Sequence, residues 1–195
     1  MRFCNIVTED ELSLAVIRAI LKSECPNLTE YYSRITSGFG QMKKNIRAYN
    51  KAARAIPYIV LTDLDTIECP HNLIRDWLGN VPKHRNLYFR VAVREVESWL
   101  LAHRQGFSNF LGINISLIPP YPDQLQDPKR KLIELAKRSR RKVLRDSIIP
   151  FGTAAVGSDY NGCLGRYVQD VWNVSVAQRS SESLARTVNS LRRLT

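Results

Sequence analysis

Strand and helix patterns alternate along residues 1–105, and this alternation is typical of a parallel β-sheet covered by helices. The clearest strand pattern runs from Pro57 to Thr62, and apolar stretches predict further strands at residues 2–7 and 87–93, with a weaker one near 31–36. Apolar residues at helical spacing predict helices at residues 10–23, 41–54, 71–78 and about 95–105. We therefore predict an α/β fold in which a parallel sheet is flanked by helices.

The rest of the chain has a different pattern, because its first segment, residues 106–127, is rich in proline and irregular. Three further helices are predicted near residues 128–141, 161–172 and 181–193. We therefore expect a sheet domain at residues 1–105 and a basic helical extension at residues 106–195 that packs on it.

The charge of the chain favours a polyanionic partner. Its 195 residues include 29 lysines and arginines against 18 aspartates and glutamates, which gives a net charge of +11 at neutral pH. Fifteen of the basic residues but only seven of the acidic ones lie beyond residue 100. Nucleic acid is the expected partner, because lysine and arginine side chains neutralise backbone phosphates.

Two predicted helices carry most of the basic residues that are suited to phosphate contact. Nine basic residues occur between Lys129 and Arg145, with Glu134 as the one acid among them. The candidates for nucleic-acid binding are Lys43, Arg47, Arg94, Lys129, Arg130, Lys137, Arg138, Arg141 and Arg145. A solvated helix face without a partner is the alternative interpretation of each stretch. No helix-turn-helix, zinc-finger or RRM pattern occurs, so these contacts are expected to give affinity rather than base recognition.

Several other classes of protein are excluded by the sequence. The four cysteines are widely separated and form no Cys-x-x-Cys pair, which argues against a zinc ribbon and against a disulfide scaffold. The longest apolar run, Ala55 to Leu61, is far too short to span a membrane. Acidic residues at positions 9–11 argue against a signal peptide. We therefore expect a cytoplasmic protein with no membrane partner.

Acidic residues follow three of the predicted strands. They are Glu9 after the first strand, Asp63 and Asp65 after the clearest one, and Glu95 and Glu97 after the strand at residues 87–93. Carboxyl ends of parallel strands meet at one edge of a sheet, where ligands bind. Converging carboxylates repel one another unless a cation lies between them, and Mg²⁺ prefers oxygen ligands. Each acid taken singly has a second interpretation as a loop residue or helix cap, a role that Asp10 and Glu11 fit.

The sequence around these acids resembles a known family. The motifs are VTEDELS at residues 7–13, VLTDLD at 60–65 and VREVESWLL at 93–101. They resemble the TOPRIM domain, the metal-binding fold of topoisomerases, bacterial primases and OLD-type nucleases, and most closely its compact bacterial forms, several of which are found beside phage-defence genes. The resemblance covers residues 1–105 and, less specifically, residues 127–129 and 157–161.

The resemblance implies a role for each acid. Asp63 and Asp65 would hold Mg²⁺, or Mn²⁺ in its place, and Glu9 would act as general base or hold a second metal ion. Glu97 would complete the site or orient a ligand. Arg94 would clamp a phosphate or pair with a carboxylate, and both interpretations stay open.

Two positions depart from the family pattern. Many TOPRIM domains have glycine after the first acid, whereas this chain has Asp10, so Glu11 stays an alternative to Glu9 as the base. His103 stands where related chains often carry aspartate, but it falls on an apolar helix face with Trp99 and Phe107. We therefore expect His103 to be a core histidine.

The sequence as a whole predicts a magnesium-dependent nuclease that acts on DNA or RNA. The family resemblance adds the expectation of an anti-phage effector with a partner protein from a defence operon. The alternative from another class is a TOPRIM-derived nucleic-acid-binding or regulatory module that does not cut, and a second enzymatic alternative is transfer or hydrolysis on nucleotides. A topoisomerase is not expected, because those enzymes need a nucleophilic tyrosine on a separate domain.

Overall fold

A computed structural model describes residues 2–36 and 38–194 of the chain. It contains one four-stranded parallel sheet. The strands are β1 (Arg2–Thr8), β2 (Leu28–Ile35), β3 (Tyr58–Asp63) and β4 (Leu87–Ala92), in the order β2-β1-β3-β4. Ile6 lies opposite Ile59, and Asp63 lies opposite Ala92, which fixes the register of the three neighbouring strands β1, β3 and β4. The predicted α/β fold with a parallel sheet flanked by helices is confirmed.

Helices cover both faces of this sheet. Those of the first half are α1 (Glu11–Glu24), α2 (Phe39–Ala52), α3 (Pro70–Leu78) and α4 (Val96–Ala102). Those that follow are α5 (Arg104–Leu111), α6 (Pro128–Lys137), α7 (Lys142–Ile148), α8 (Tyr160–Asp170), α9 (Val174–Ala177) and α10 (Glu182–Arg192). Two short 3₁₀ turns lie at Ile115–Leu117 and Pro122–Gln124. None of the helices in the described ranges is long and apolar enough to cross a membrane.

Two of the predicted helices are wrong in extent. The helix predicted at about 95–105 ends at Ala102, because His103 leaves the helical conformation, and α5 begins at Arg104. The helix predicted at 128–141 is two helices, α6 and α7. Buried Ser139 interrupts it, since its hydroxyl donates to the carbonyl oxygen of Leu111 at 2.6 Å and accepts from the N–H of Arg141 at 3.1 Å.

The strands are apolar on both faces because they are covered on both sides. Along β3, Ile59 and Leu61 point into the larger of two cores, whereas Val60 points into the smaller one, which lies under α2 and α3. The larger core also contains Leu132 and Leu164, so helices from both halves of the chain pack on the same face of the sheet. A domain boundary near residue 105 stays a prediction.

Local signals determine where the helices begin. Asp10 caps α1, because its carboxylate accepts from the N–H of Ser13 at 2.7 Å, as expected from the sequence. Asp127 caps α6 in the same way, by accepting from the N–H of Arg130 at 2.7 Å. The turn before α8 requires glycine at position 157, where a Cβ would lie 2.1 Å from the carbonyl oxygen of Ser147. These turns place the first residues of α1, α6 and α8 beside the ends of the strands.

Candidate metal centre

Glu9 follows β1 directly and reaches across to the neighbouring strand β3. Its Oε1 accepts a hydrogen bond from the hydroxyl of Thr62. Burial raises the pKa of Glu9, and the nearby negative charges of Asp65 and Asp10 raise it further against the lowering effect of Thr62. Glu11, the alternative base, is exposed in the first turn of α1. The geometry therefore favours Glu9 over Glu11 as the acid that belongs to this edge of the sheet.

Asp63 is the last residue of β3, and a hydrogen bond ties it to the helix that follows β4. Its Oδ1 accepts from the backbone N–H of Val96 at 2.9 Å, at the start of α4. Burial holds the pKa of Asp63 well above its usual range, and the charge of Glu97 raises it further, with smaller contributions from Glu9 and Asp10. Asp63 therefore interacts electrostatically with acids from the ends of both neighbouring strands.

Glu97 is the most deeply buried acid of the group, with 2% of its surface exposed. It lies in the first turn of α4, and its Oε1 accepts from the hydroxyl of Tyr160 at 2.8 Å. Its Oε2 is buried without a hydrogen-bond partner among residues 2–36 and 38–194. Burial raises the pKa of Glu97 to about 7, with Lys129 acting against that rise and Glu95 adding to it. A buried carboxylate oxygen without a hydrogen-bond partner is costly.

Lys129, at the start of α6, brings the one cationic side chain that contacts these acids among the residues described. Its Nζ lies 3.7 Å from Oε1 of Glu95 and 3.7 Å from Oε1 of Glu97. Its backbone N–H donates to Oε2 of Glu95 at 2.8 Å. Burial opposes the charged form of Lys129, but Glu97, Glu95 and Asp63 outweigh burial and raise the pKa of its ammonium group. The structure places Lys129 against two carboxylates, and its predicted contact with nucleic acid stays a prediction.

Asp65 lies on an exposed turn after β3, near enough to Glu9 for its charge to raise the pKa of that acid. Its backbone has a positive φ of 50°, a conformation that aspartate tolerates better than most residues. Its carbonyl oxygen accepts from Nη1 of Arg94 at 3.1 Å, and the same Nη1 donates to the carbonyl oxygen of Ile67 at 2.7 Å. Arg94 therefore bonds two carbonyls of the loop after β3 through Nη1, and its contact with a phosphate stays a prediction.

These acids have the right chemistry for a divalent cation. Within residues 2–36 and 38–194, no three acidic, histidine or cysteine side chains lie close enough together to hold a metal ion as they stand. The donor set nevertheless offers the carboxylate oxygens that a hard cation prefers, and the charges of Glu97 and Glu9 both raise the pKa of Asp63. Oε2 of Glu97, which has no hydrogen-bond partner among the described residues, is the observation that most directly favours a bound cation. We call Glu9, Asp63, Asp65, Glu95 and Glu97, together with Lys129, the acidic centre.

The predicted basic residues of α6 and α7 divide into two groups. Lys129, Arg130 and Lys137 line a groove of about 410 Å³ that also includes Glu95, so they lie beside the acidic centre. The remaining members of that stretch are Arg138 and Arg141, which are exposed, and Arg145, whose Nη1 donates to the carbonyl oxygen of Ser139 at 2.6 Å. Because the predicted helix is two helices, Arg138 and Arg141 do not share one helical face with Arg130.

The two basic residues predicted on α2 lie away from the acidic centre. Lys43 pairs with Asp76 of α3, with 2.5 Å between Nζ and Oδ2. The guanidinium group of Arg47 packs near Gly79, just beyond α3. Both side chains therefore contact the α3 segment, whose helix packs on the smaller core.

Three groups at the acidic centre were not predicted as parts of it from the sequence. They are Thr62, Tyr160 and the ammonium group of Lys129. A signal existed for two of them, because the family resemblance extends to residues 127–129 and 157–161, which contain Lys129 and Tyr160. Thr62 lies in the apolar strand pattern before Asp63, and nothing in its type or spacing distinguishes it.

Comparison with known proteins gives one likeness of fold. No protein-family model matches the sequence, and no curated protein matches it. The solved structure of the C-terminal region of the Burkholderia pseudomallei OLD protein matches with a TM-score of 0.51 and 13% sequence identity, over 98% of this chain and 97% of that chain. At this identity the likeness concerns the fold. The chain therefore has a fold similar to that of the C-terminal region of an OLD protein.

Proposed function

We propose that the protein is a magnesium-dependent nuclease that hydrolyses phosphodiester bonds in DNA or RNA at the acidic centre. The observation that carries this proposal is the surplus of buried negative charge around Glu97, whose Oε2 has no partner among the described residues. The family resemblance of the motifs supports it, and so does the fold likeness to the C-terminal region of an OLD protein. A basic surface beside an acidic centre is what a polyanionic substrate with a cation-assisted reaction requires.

Three acids would hold the cation, which is Mg²⁺ or, in its place, Mn²⁺. Glu9, Asp63 and Asp65 would supply carboxylate oxygens, and Glu97 would complete the site with its buried carboxylate or orient a ligand. When bound, the metal ion would neutralise the phosphate and stabilise the leaving oxygen. The raised pKa of Glu9 suits it to accept a proton from the attacking water, because a base works best when its pKa approaches the working pH.

The cationic groups around the centre would position the substrate. Lys129 lies against Glu95 and Glu97 with 36% of its side chain exposed, so its ammonium group can also reach a phosphate. Arg130 and Lys137 extend the positive surface along the same groove. Tyr160 holds Glu97 in place through its hydroxyl, which fixes the orientation of the carboxylate.

An exposed aromatic side chain stands beside this groove. Phe151 is 94% exposed, in the loop between α7 and α8. Neighbouring Pro150 and Ala155 line the same groove as Glu95 and Lys129. A phenylalanine that is almost wholly exposed offers its face to an unpaired base, and such stacking contributes roughly 1–3 kcal/mol per base. Phe151 therefore favours a substrate with a single-stranded or frayed segment.

One observation favours the non-cleaving alternative. The ammonium group of Lys129 already neutralises part of the charge of Glu95 and Glu97, as a cation would in a metal-free module. The acid set is complete, however, which favours the enzyme. An anti-phage role with a partner protein from a defence operon rests on the family resemblance, and it remains part of the proposal.

The test uses plasmid, linear DNA and RNA, each with Mg²⁺, with Mn²⁺ and with EDTA. We expect metal-dependent cleavage by the wild-type protein and a loss of at least about a thousandfold in Asp63→Ala. Asp146→Ala is the matched control, because Asp146 is exposed and lies outside the acidic centre. Robust cleavage that survives both EDTA and Asp63→Ala would rule the metal mechanism out. Binding that weakens steeply with salt, without cleavage under any condition, would establish the module instead.

A further inference from the structure

A second groove lies along the outer edge of β4. β4 is the last strand of the sheet, so α3 and α10 leave a groove of about 710 Å³ over its free edge. Apolar residues form part of its wall, including Ile74 of α3 and Val93, which follows β4, and exposed Tyr121 also lines it. The volume is in the range of pockets that bind small organic ligands. We call it the β4 groove.

Three arginines line the β4 groove, and one of them is only partly exposed. Arg90 projects from β4, and its Nε donates a long hydrogen bond of 3.4 Å to the hydroxyl of Thr187. No acidic side chain forms an ion pair with Arg90 in the part of the chain that the structure describes. Arg179 and Arg186 are exposed and line the same groove. A partly buried guanidinium group with unused N–H donors is therefore turned toward a cavity that carries further positive charge.

The neighbours of Arg90 add to this imbalance. Burial lowers the pKa of Arg90, and the positive charge of Arg186 lowers it further. Burial also lowers the pKa of Lys83, and Arg90 contributes to that shift. Arg90 thus interacts electrostatically with two other positive charges, which is unfavourable unless an anion is bound.

The two acids at the β4 groove are already used. Asp123 accepts from the hydroxyl of Ser181 at 2.7 Å and from the N–H of Ser183 at 2.9 Å, so it holds the start of α10. Glu182 pairs with Arg186 on the exposed side of α10, and a pair of this kind is weak in water. Neither acid compensates Arg90, and an anion from outside the chain would.

We propose that the β4 groove binds a nucleotide, with its phosphate among Arg90, Arg179 and Arg186 and its base against Ile74, Val93 and Tyr121. Arginine N–H groups pair with phosphate oxygens two at a time, which gives both strength and orientation. Aromatic and aliphatic side chains at the wall suit the face of a base. The proposal goes beyond the nuclease function, because it requires neither the metal ion nor cleavage.

Such a nucleotide has two sources, a free 5′-mononucleotide or the unpaired 5′-phosphorylated end of a strand. The second source fits the geometry, because the groove opens near the acidic centre. Val93, which lines the groove, follows β4 directly, and Ala92 at the end of β4 lies opposite Asp63. An acidic extended peptide that adds to the free edge of β4 is the competing occupant. The volume of the groove and the clustering of arginines at one side favour the nucleotide.

The test measures binding by calorimetry in EDTA, so that metal-dependent cleavage cannot contribute. The probes are the four 5′-ribonucleoside monophosphates, the matching nucleosides, inorganic phosphate, a short single strand with and without a 5′ phosphate, and an oligoglutamate peptide. We expect saturable binding of a monophosphate or of the 5′-phosphorylated strand, with the nucleosides and the unphosphorylated strand at least about tenfold weaker. Binding of the monophosphates identifies the free nucleotide, and binding of the phosphorylated strand alone identifies the strand end.

Variants decide whether the β4 groove is the site. Arg179→Gln with Arg186→Gln changes only exposed side chains, and we expect it to weaken binding at least about tenfold. Lys51→Gln with Arg54→Gln removes the same charge elsewhere on the surface and should leave binding within about twofold. Arg90→Met, checked for its melting temperature, should abolish binding, and Asp63→Ala should retain it. No saturable binding, equal loss in the two double variants, or binding of oligoglutamate in preference to every nucleotide would overturn the proposal.

Discussion

The acidic centre and the β4 groove lie on either side of the end of β4, and their unmatched charges have opposite signs. Among the residues that the structure describes, Oε2 of Glu97 at the acidic centre is buried without a hydrogen-bond partner, and the partly buried Arg90 in the β4 groove forms no ion pair with an acid. A matched pair elsewhere shows the contrast, since Arg18 bonds Glu30 through two N–H groups, each at 2.7 Å. A charge that the fold has paired is structural, and a charge that it has left unpaired indicates what is missing. We propose that the missing group is a cation at one site and an anion at the other.

Removing the ammonium group of Lys129 should have the largest effect on stability. Lys129→Met leaves the buried carboxylate of Glu97 without its cation, and we expect the free energy of unfolding in EDTA to fall by about 1–2 kcal/mol. The loss is smaller than for a fully buried pair, because 36% of the Lys129 side chain is exposed. Denaturant unfolding monitored by circular dichroism measures the difference.

Adding Mg²⁺ provides a second test of the Lys129 prediction. If the acidic centre lacks a cation, Mg²⁺ should raise the melting temperature of Lys129→Met more than that of the wild-type protein. Lys131→Met, on the same helix, is the matched control and should behave like the wild-type protein in both media. Equal stability of Lys129→Met and the wild-type protein in EDTA would show that the acids are already satisfied without Lys129.

Neutralising Asp63 should raise the free energy of unfolding, whereas neutralising Lys129 should lower it. The pKa of Asp63 is raised in the folded protein, so its charged form costs stability at every pH above the ordinary pKa of aspartate. We expect Asp63→Asn to raise the free energy of unfolding at pH 7 in EDTA by about 0.5–2 kcal/mol, while the stabilisation by Mg²⁺ disappears. Thermal unfolding with and without Mg²⁺ measures both effects, and Asp146→Asn provides the control. A destabilised Asp63→Asn protein would mean that the carboxylate of Asp63 supports the fold rather than a ligand.

The same comparison applies to the positive charge of Arg90. Arg90→Met removes an unpaired guanidinium group and keeps most of its volume, so the free energy of unfolding should stay unchanged or rise by up to about 1 kcal/mol. Arg18→Met breaks a matched but exposed pair and should lower it by roughly 0.2–1 kcal/mol. Urea unfolding of the two variants side by side gives the difference in sign. If Arg90→Met is the more destabilised of the two, Arg90 is held by contacts within the fold, and the contrast between the regions fails.

The sequence predicts one of these two regions and not the other, for a physical reason. Glu9, Asp63 and Glu97 each follow a strand, and parallel strands present their carboxyl ends at one edge, so their proximity follows from topology. Arg90 alternates with Phe89 and Val91 along β4, which predicts only that it points to the other face of the sheet. That none of the described acids pairs with Arg90 depends on how α10 packs, and no local pattern contains that information.

The helical extension shows the same limit. The charge run from Lys129 to Arg145 predicts a basic surface, but buried Ser139 divides it between two helices. The sequence groups Lys129 with its basic neighbours, because nothing in the stretch from Lys129 to Arg145 distinguishes it. Only the cap at Asp127 and the position of α6 against α4 direct its ammonium group to Glu97.

The smallest effect on stability is expected for His103, a titratable group whose neutral form already has a hydrogen-bond partner. Glu97 and His103 lie at opposite ends of α4, and burial shifts the pKa of each toward its neutral form, up for Glu97 and down for His103. The neutral imidazole of His103 is satisfied, because its Nδ1 accepts from the backbone N–H of Asn173 at 3.1 Å. Since the folded protein binds the proton less readily than the unfolded chain, the stability that His103 contributes is present above pH 6.5 and is lost as the pH falls below that value. His103→Gln retains a hydrogen-bond acceptor but does not titrate, so between pH 7.5 and 5.5 its free energy of unfolding should fall less than that of the wild-type protein. Identical pH profiles of stability would mean that His103 is protonated as readily in the folded protein as in the unfolded chain. Burial alone would then not be enough to distinguish the matched charges of this molecule from the unmatched ones.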